Sequence, residues 1–112
     1  MTSTVKTKTA ARLSEIFGAT FPSASITGAP KYRATEIIAE LEHQPRGIYT
    51  GALGHILPGG DAQFAVAIRT LVTNRETGVT SYGVGSGIVA DSDPHTELAE
   101  TQLKAQVLGG NG

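Results

Sequence analysis

Two short polar turns govern what this 112-residue chain can fold into: "PGGD" at 58–61 and "NRETG" at 74–78. They separate three strand-like runs, at residues 47–57, 63–73 and 79–90. Parallel neighbours need a crossover of about a dozen residues or more, which neither turn supplies. The runs are therefore expected to pair antiparallel, as a meander. Helical patterns flank them. One runs from about residue 10 to 19, with Ala10, Leu13, Ile16 and Phe17 on one face. A second starts near 28–30 and ends near 42, with Ala34, Ile37, Ile38 and Leu41 at i, i+3, i+4, i+7 spacing. A third starts at Asp93 or Pro94 and runs to about Leu108, before a "GGNG" tail expected to fray. The expected order is α-α-β-β-β-α, an α+β fold.

The formal net charge of −1 argues against a nucleic-acid or membrane-surface protein, which usually carries a basic excess. No cysteine is present, so disulfides and thiolate metal sites are excluded. No apolar run approaches the roughly 18 residues of a membrane helix, and the N-terminus lacks the apolar core of a signal peptide. A cytoplasmic location is the resulting expectation.

Several features carry chemistry. Gly83, Gly85 and Gly87 alternate along the third run and leave one face without side chains. Either a flat ligand lies there or another element packs closely. Strand alternation places Arg69 on a face with Ala65 and Ala67, where a guanidinium suits a bidentate carboxylate. A structural pairing with a nearby glutamate is the plainer alternative. On the last helix Glu97, Glu100, Thr101 and Lys104 form one polar stripe. Its two carboxylates could hold a hard cation. By spacing alone, a solvated face with a Glu100–Lys104 pair is the better reading. Finally, "PSASITGAPK" crowds Ser23, Ser25 and Thr27 before a helix start, although a cap needs only one hydroxyl.

Four blocks occur in order: "FPSASITGAPKYRATEIIAELE", "RGIYTGALGH", "FAVAIRTL" and "GSGIVADSDPHTELAETQLKA". Together they resemble the C-terminal part of the chorismate-utilising enzymes, from about Ser3 onward. That family includes component I of aminodeoxychorismate synthase, anthranilate synthase, and the isochorismate and salicylate synthases. The wording "SITGAPK", with Thr27, is most like the aminodeoxychorismate branch, where anthranilate synthases more often have serine. The resemblance implies a fragment of the larger chorismate-binding α/β sandwich fold.

It also implies roles for particular residues. Arg69 matches an arginine that binds a carboxylate of chorismate, and Tyr49 an aromatic residue beside the enolpyruvyl carboxylate. Gly85, Ser86 and Gly87 match a strand whose backbone N–H groups face a substrate carboxylate. Glu97 and Glu100 match glutamates at a Mg²⁺ site, with Glu100 the more direct ligand. Lys104 matches the lysine one turn later, and Ser25 and Thr27 match hydroxyls lining the pocket. The implied chemistry is Mg²⁺-assisted loss of a ring hydroxyl from chorismate while a nucleophile adds. In the aminodeoxychorismate branch ammonia arrives from a glutamine amidotransferase partner.

Two departures qualify the resemblance. Ala24 stands where family members usually have glycine. Family members are also three to four times longer, and motifs of the "PIKGT" and "ExxMxxDLxRND" kinds do not occur in this chain. Residues 1–112 are thus expected to be a partial chorismate-binding domain without its N-terminal part, inactive alone. An anthranilate synthase component I fragment and a non-catalytic chorismate-binding or structural module are the alternatives. A fragment with bare strand edges is also expected to self-associate as a homo-oligomer.

Overall fold

In the computed structural model, residues 4–106 are described. The chain is α+β. Helix α1 spans Leu13–Thr20. At its start the Glu15 carboxylate accepts from the backbone N–H of Arg12 at 2.7 Å, satisfying a donor at the helix entry. Lys31 donates from Nζ to the carbonyls of Phe21 (2.6 Å) and Gly18 (3.2 Å), placing a cation at the negative end of α1. The aromatic ring of Phe17 meets Phe64 edge-on at 4.8 Å and Phe21 at 6.2 Å between centroids. This trio fastens α1 to the first hairpin.

The hydroxyl-rich stretch forms a helical turn of its own, α2 at Ala24–Thr27, not foreseen from the sequence. Gly28 closes it with φ of 103°, a backbone that favours glycine. Helix α3 follows at Lys31–Leu41. Of its expected apolar stripe, Ala34 and Ile38 are half-buried. Ile37 and Leu41 face outward, Leu41 at 72% exposure.

The strands depart from the expected meander. Strands β1 (Ala52–Ile56) and β2 (Ala62–Val66) pair antiparallel, with Gly54 opposite Phe64. Strands β3 (Leu71–Thr73) and β4 (Thr80–Tyr82) form a second antiparallel pair. The expected run at 63–73 is thus two strands, because the chain turns between them. The Ile68 N–H reaches back to the Val66 carbonyl at 2.9 Å, and Arg69 adopts φ of 51°. Strand alternation therefore ends before Arg69. The third run likewise leaves extended pairing after Tyr82, so Gly83, Gly85 and Gly87 lie in an irregular segment. The two short turns behave as expected, with Gly60 and Gly78 at positive φ.

Helix α4 spans Pro94–Ala105. Asp93 caps it, accepting from the Thr96 backbone N–H and hydroxyl, both at 2.9 Å. The expected end at Leu108 and the "GGNG" tail lie outside the described residues. No helix among the described residues is long and apolar enough to cross a membrane.

Little of this architecture is closed. Ala67, at 3% exposure, is the one buried residue among those described. The accessible surface is 9605 Å². A compact chain of this mass would show about 5,800 Å². The radius of gyration is 16.9 Å. About 13 Å would suit a compact domain of this length.

Candidate functional site

The expected site residues fall into three groups. The largest gathers where α4 meets the glycine segment. Lys104 donates from Nζ to the Gly85 carbonyl at 3.0 Å and forms an ion pair with Glu100 at 2.5 Å. Glu97 lies against the hydroxyls of Ser92 and Ser86, which hold its carboxyl below the usual glutamate range, and Lys104 adds to this. Ser86, Glu97, Thr101 and Lys104 are all half-buried. The helix thus sets Glu97, Thr101 and Lys104 toward the glycine segment, with Glu100 exposed at the edge of the stripe, while Leu98 and Leu103 are 57% and 65% exposed. That is the reverse of an ordinary surface helix. The Glu100–Lys104 pair is present as expected, but the stripe around it is not a freely solvated face.

Tyr49 joins this group from the other side. It sits in a turn at residues 47–50, not in a strand as the alternation suggested. Its ring lies directly on the Gly83 backbone. A methyl added at Gly83 would meet the Tyr49 Cδ2 at 2.5 Å, and one at Gly85 would meet its hydroxyl at 3.1 Å. Of the two expectations for the glycine segment, close packing is the one observed, at Gly83 and Gly85. Tyr49 packs on Gly83 and reaches Gly85, whereas a methyl at Gly87 would find open space within 4 Å.

Thr27 belongs to a second group. Its hydroxyl donates to the Ser23 carbonyl at 3.1 Å. Together with Thr35, Arg46, Tyr49 and Thr50 it lines an open cleft of about 530 Å³. Tyr49 therefore borders both the cleft and the glycine segment. Ser25 does not line this cleft. It is exposed, with its hydroxyl 2.8 Å from that of Ser23. The surplus hydroxyls thus serve α2 locally in two cases, and only Thr27 faces the cleft.

Arg69 stands alone. It is exposed, and among the described residues no hydrogen bond or ion pair reaches its guanidinium, so the structural pairing with a glutamate is not formed there.

The donor chemistry of Glu97 and Glu100 suits a hard cation. Among the described residues no group of three or more histidines and carboxylates could close around a metal. Mg²⁺, however, is commonly held by one or two carboxylates, with waters and substrate oxygens completing its shell. The pair fits such a partial site, provided Lys104 yields Glu100.

Sequence reading placed Gly83 on the glycine face and Thr101 in the polar stripe without giving either a site role, and it missed Ser92 and the Glu42–Arg46 pair behind Tyr49. Arg46 holds Glu42 through two bonds of 2.6 and 2.7 Å. The i, i+4 spacing was visible, but "HQP" between them breaks the helix that would normally give that spacing meaning.

Comparison with known proteins gives a consistent picture. Residues 1–109 match the family described as chorismate binding enzyme. Anthranilate synthase component 1 of Methanothermobacter marburgensis is 47% identical over 94 residues, covering 84% of this chain and 20% of the relative. That of Streptomyces coelicolor is 49% identical over 88 residues, covering 79% and 17%. Aminodeoxychorismate synthase of Streptomyces pristinaespiralis is 44% identical over 108 residues, covering 95% and 15%. The chain therefore spans a fifth or less of the length of these curated relatives. No solved structure matches it.

Proposed function

This chain belongs to the chorismate binding enzymes, and we propose that it is the C-terminal part of an aminodeoxychorismate synthase component I. In this reading residues 1–112 are a partial chorismate-binding domain. The complete enzyme would convert chorismate and ammonia, released from glutamine by an amidotransferase partner, to 4-amino-4-deoxychorismate. The observation that carries the proposal is the convergence of Tyr49, Gly85, Ser86, Glu97, Glu100 and Lys104 on one irregular glycine segment. Such a site has open backbone, an aromatic edge, carboxylates and an ammonium, as an anionic, ring-shaped substrate requires.

In detail, Tyr49 and Thr27 border the substrate, and the Gly85, Ser86 and Gly87 N–H groups and Lys104 bind a carboxylate. Arg69 binds a second carboxylate with a guanidinium that no described residue engages. Ser25, outside the cleft, supports the α2 turn beside it through its hydroxyl contact with Ser23. Glu97 and Glu100 would hold Mg²⁺, which supplies Lewis-acid stabilisation of carboxylate and leaving-group charge when bound. Glu97 is suited to this because its hydroxyl neighbours favour the charged form. The chain alone is inactive, since the lysine nucleophile expected of this branch has no counterpart in its sequence.

The branch rests on Thr27 and on the 95% coverage by the Streptomyces pristinaespiralis relative. Anthranilate synthase component I is the second reading, favoured by identities of 47% and 49% with two such enzymes. One exchange experiment separates them. The chain replaces the matching segment of each relative, and products from chorismate, ammonia and Mg²⁺ are separated chromatographically. Activity restored only in the aminodeoxychorismate synthase frame supports the first reading, and activity only in the anthranilate synthase frame refutes it. The 112 residues alone are expected to give no product, so robust turnover by them would refute the partial-domain reading.

A further inference from the structure

We propose that Arg46, clamped by Glu42, is a positioning residue that sets the 47–50 turn and so holds the Tyr49 ring over Gly83. The inference rests on the reading that Tyr49 borders the substrate, and it assigns a role to residues that the family motifs above leave without one.

The physical case begins at the turn. Thr50 has φ of 65°. That left-handed conformation is unfavourable for a β-branched residue and persists only under external constraint. Four bonds supply it. The Thr50 N–H donates to the Ala67 carbonyl at 2.8 Å, anchoring the turn on the one buried residue of those described. The Tyr49 N–H donates to the Arg46 carbonyl at 3.2 Å. The Arg46 guanidinium reaches the Thr50 hydroxyl from Nη1 at 3.4 Å, and that hydroxyl donates to the Tyr49 carbonyl at 2.6 Å.

Arg46 can do this only because its fork is held elsewhere. Nε and Nη2 engage the two Glu42 oxygens at 2.7 and 2.6 Å, a bidentate geometry that lysine cannot reproduce. Glu42 lies immediately after α3. A rigid helix end therefore fixes the guanidinium, the guanidinium fixes the turn, and the turn aims the ring. Tyr49 itself makes no side-chain hydrogen bond among the described residues that would hold it there independently.

The test uses the intact chain and nuclear magnetic resonance. The nuclear Overhauser effect between Tyr49 ring protons and the Gly83 α protons reports ring placement without any ligand. It is expected in the wild type and lost in Arg46→Lys, while the amide signals of β1 and β2 keep their positions. Should Arg46→Lys fail to fold, Thr50→Val removes the linking hydroxyl and is read in the same way. A wild-type signal retained in whichever of these variants is folded would overturn the proposal. Chorismate titration is read separately. About tenfold weaker binding by Arg46→Lys is the expected result, the loss of one charge-assisted contact network. Equal binding by wild type and variant would refute the link from Arg46 to the substrate. Absence of chorismate binding by the wild type would refute the functional reading, leaving the ring-placement result to decide the positioning role.

Discussion

The glycine segment permits a graded test, because its three glycines differ in what a methyl would meet. None of them is at positive φ, so alanine can adopt each backbone without strain. At Gly83 the new Cβ would strike the Tyr49 Cγ most closely and lie 2.5 and 2.7 Å from its Cδ2 and Cβ. Carbon atoms settle at about 3.5–4.0 Å, so the overlap is about 1 Å. The atoms struck are at the root of the side chain, which cannot yield by a small bend. Overpacking of this kind costs about 1–3 kcal/mol. Against it, alanine narrows the unfolded ensemble and returns about 0.4–1 kcal/mol. Gly83→Ala should therefore be net destabilising by about 1–2 kcal/mol. At Gly85 the methyl meets the Tyr49 hydroxyl at 3.1 Å, the far end of a mobile side chain, and the two effects should nearly cancel. At Gly87 it meets nothing within 4 Å, so only the stabilising contribution remains. Thermal unfolding by circular dichroism gives the ranking, at about 4–8 °C for each kcal/mol in a chain of this size. The midpoint should rise in the order Gly83→Ala, Gly85→Ala, Gly87→Ala. A Gly83→Ala midpoint at or above that of Gly87→Ala would show that Tyr49 does not rest on this segment.

Other tests address other parts of the fold. Glu42 is held below its ordinary value of 4.5 chiefly by its hydrogen bonds to Arg46. Its contribution should be complete above about pH 4.5 and fade as pH falls through the depressed value, so stability that drops with acid in wild type should drop less in Glu42→Gln. Phe64→Ala removes both the edge-on contact with Phe17 and the ring of a residue 37% exposed, and should cost about 1–3 kcal/mol in urea unfolding. An unchanged midpoint would show that α1 is held by Lys31 alone. Calorimetric Mg²⁺ titration should show binding that falls in Glu97→Gln and vanishes in the double variant with Glu100→Gln, while undiminished binding would place the cation elsewhere. Sedimentation velocity should show association that grows with concentration, since Leu41, Leu98 and Leu103 are exposed, and a single monomeric boundary at high concentration would count against a homo-oligomer.

What the sequence revealed follows the range of the forces involved. The caps, turns and helix stripes are local, so Asp93, "PGGD", "NRETG" and the half-buried pair Ala34 and Ile38 were legible. The break between β2 and β3 was not, because "FAVAIRTL" alternates well enough for one strand and the interruption lies in backbone conformation, in the turn from Val66 to Ile68 and the φ of Arg69. The inward polar stripe of α4 was misjudged for another reason. Amphipathic patterns assume that water lies on the polar side, and here Gly85 and Ser86 lie there instead. The meeting of Tyr49 with Gly83 is a contact between distant segments, which no local pattern encodes. The family blocks pointed to Tyr49 and Gly85 separately but said nothing of their mutual packing.

The contacts that build the glycine site close longer loops than either hairpin does. Each hairpin needs only its own turn and can form within about 1–10 μs. The bond from Lys104 to Gly85 spans 19 residues, and Tyr49 lies further still from Gly83. Bringing such ends together costs chain entropy that short turns avoid, and few buried side chains offset it here. The site should therefore assemble after the hairpins and open before them. A ligand bridging Tyr49, the glycine segment and α4 would then act as a folding partner, raising stability with the logarithm of its concentration. For this chain, occupancy and order become one equilibrium.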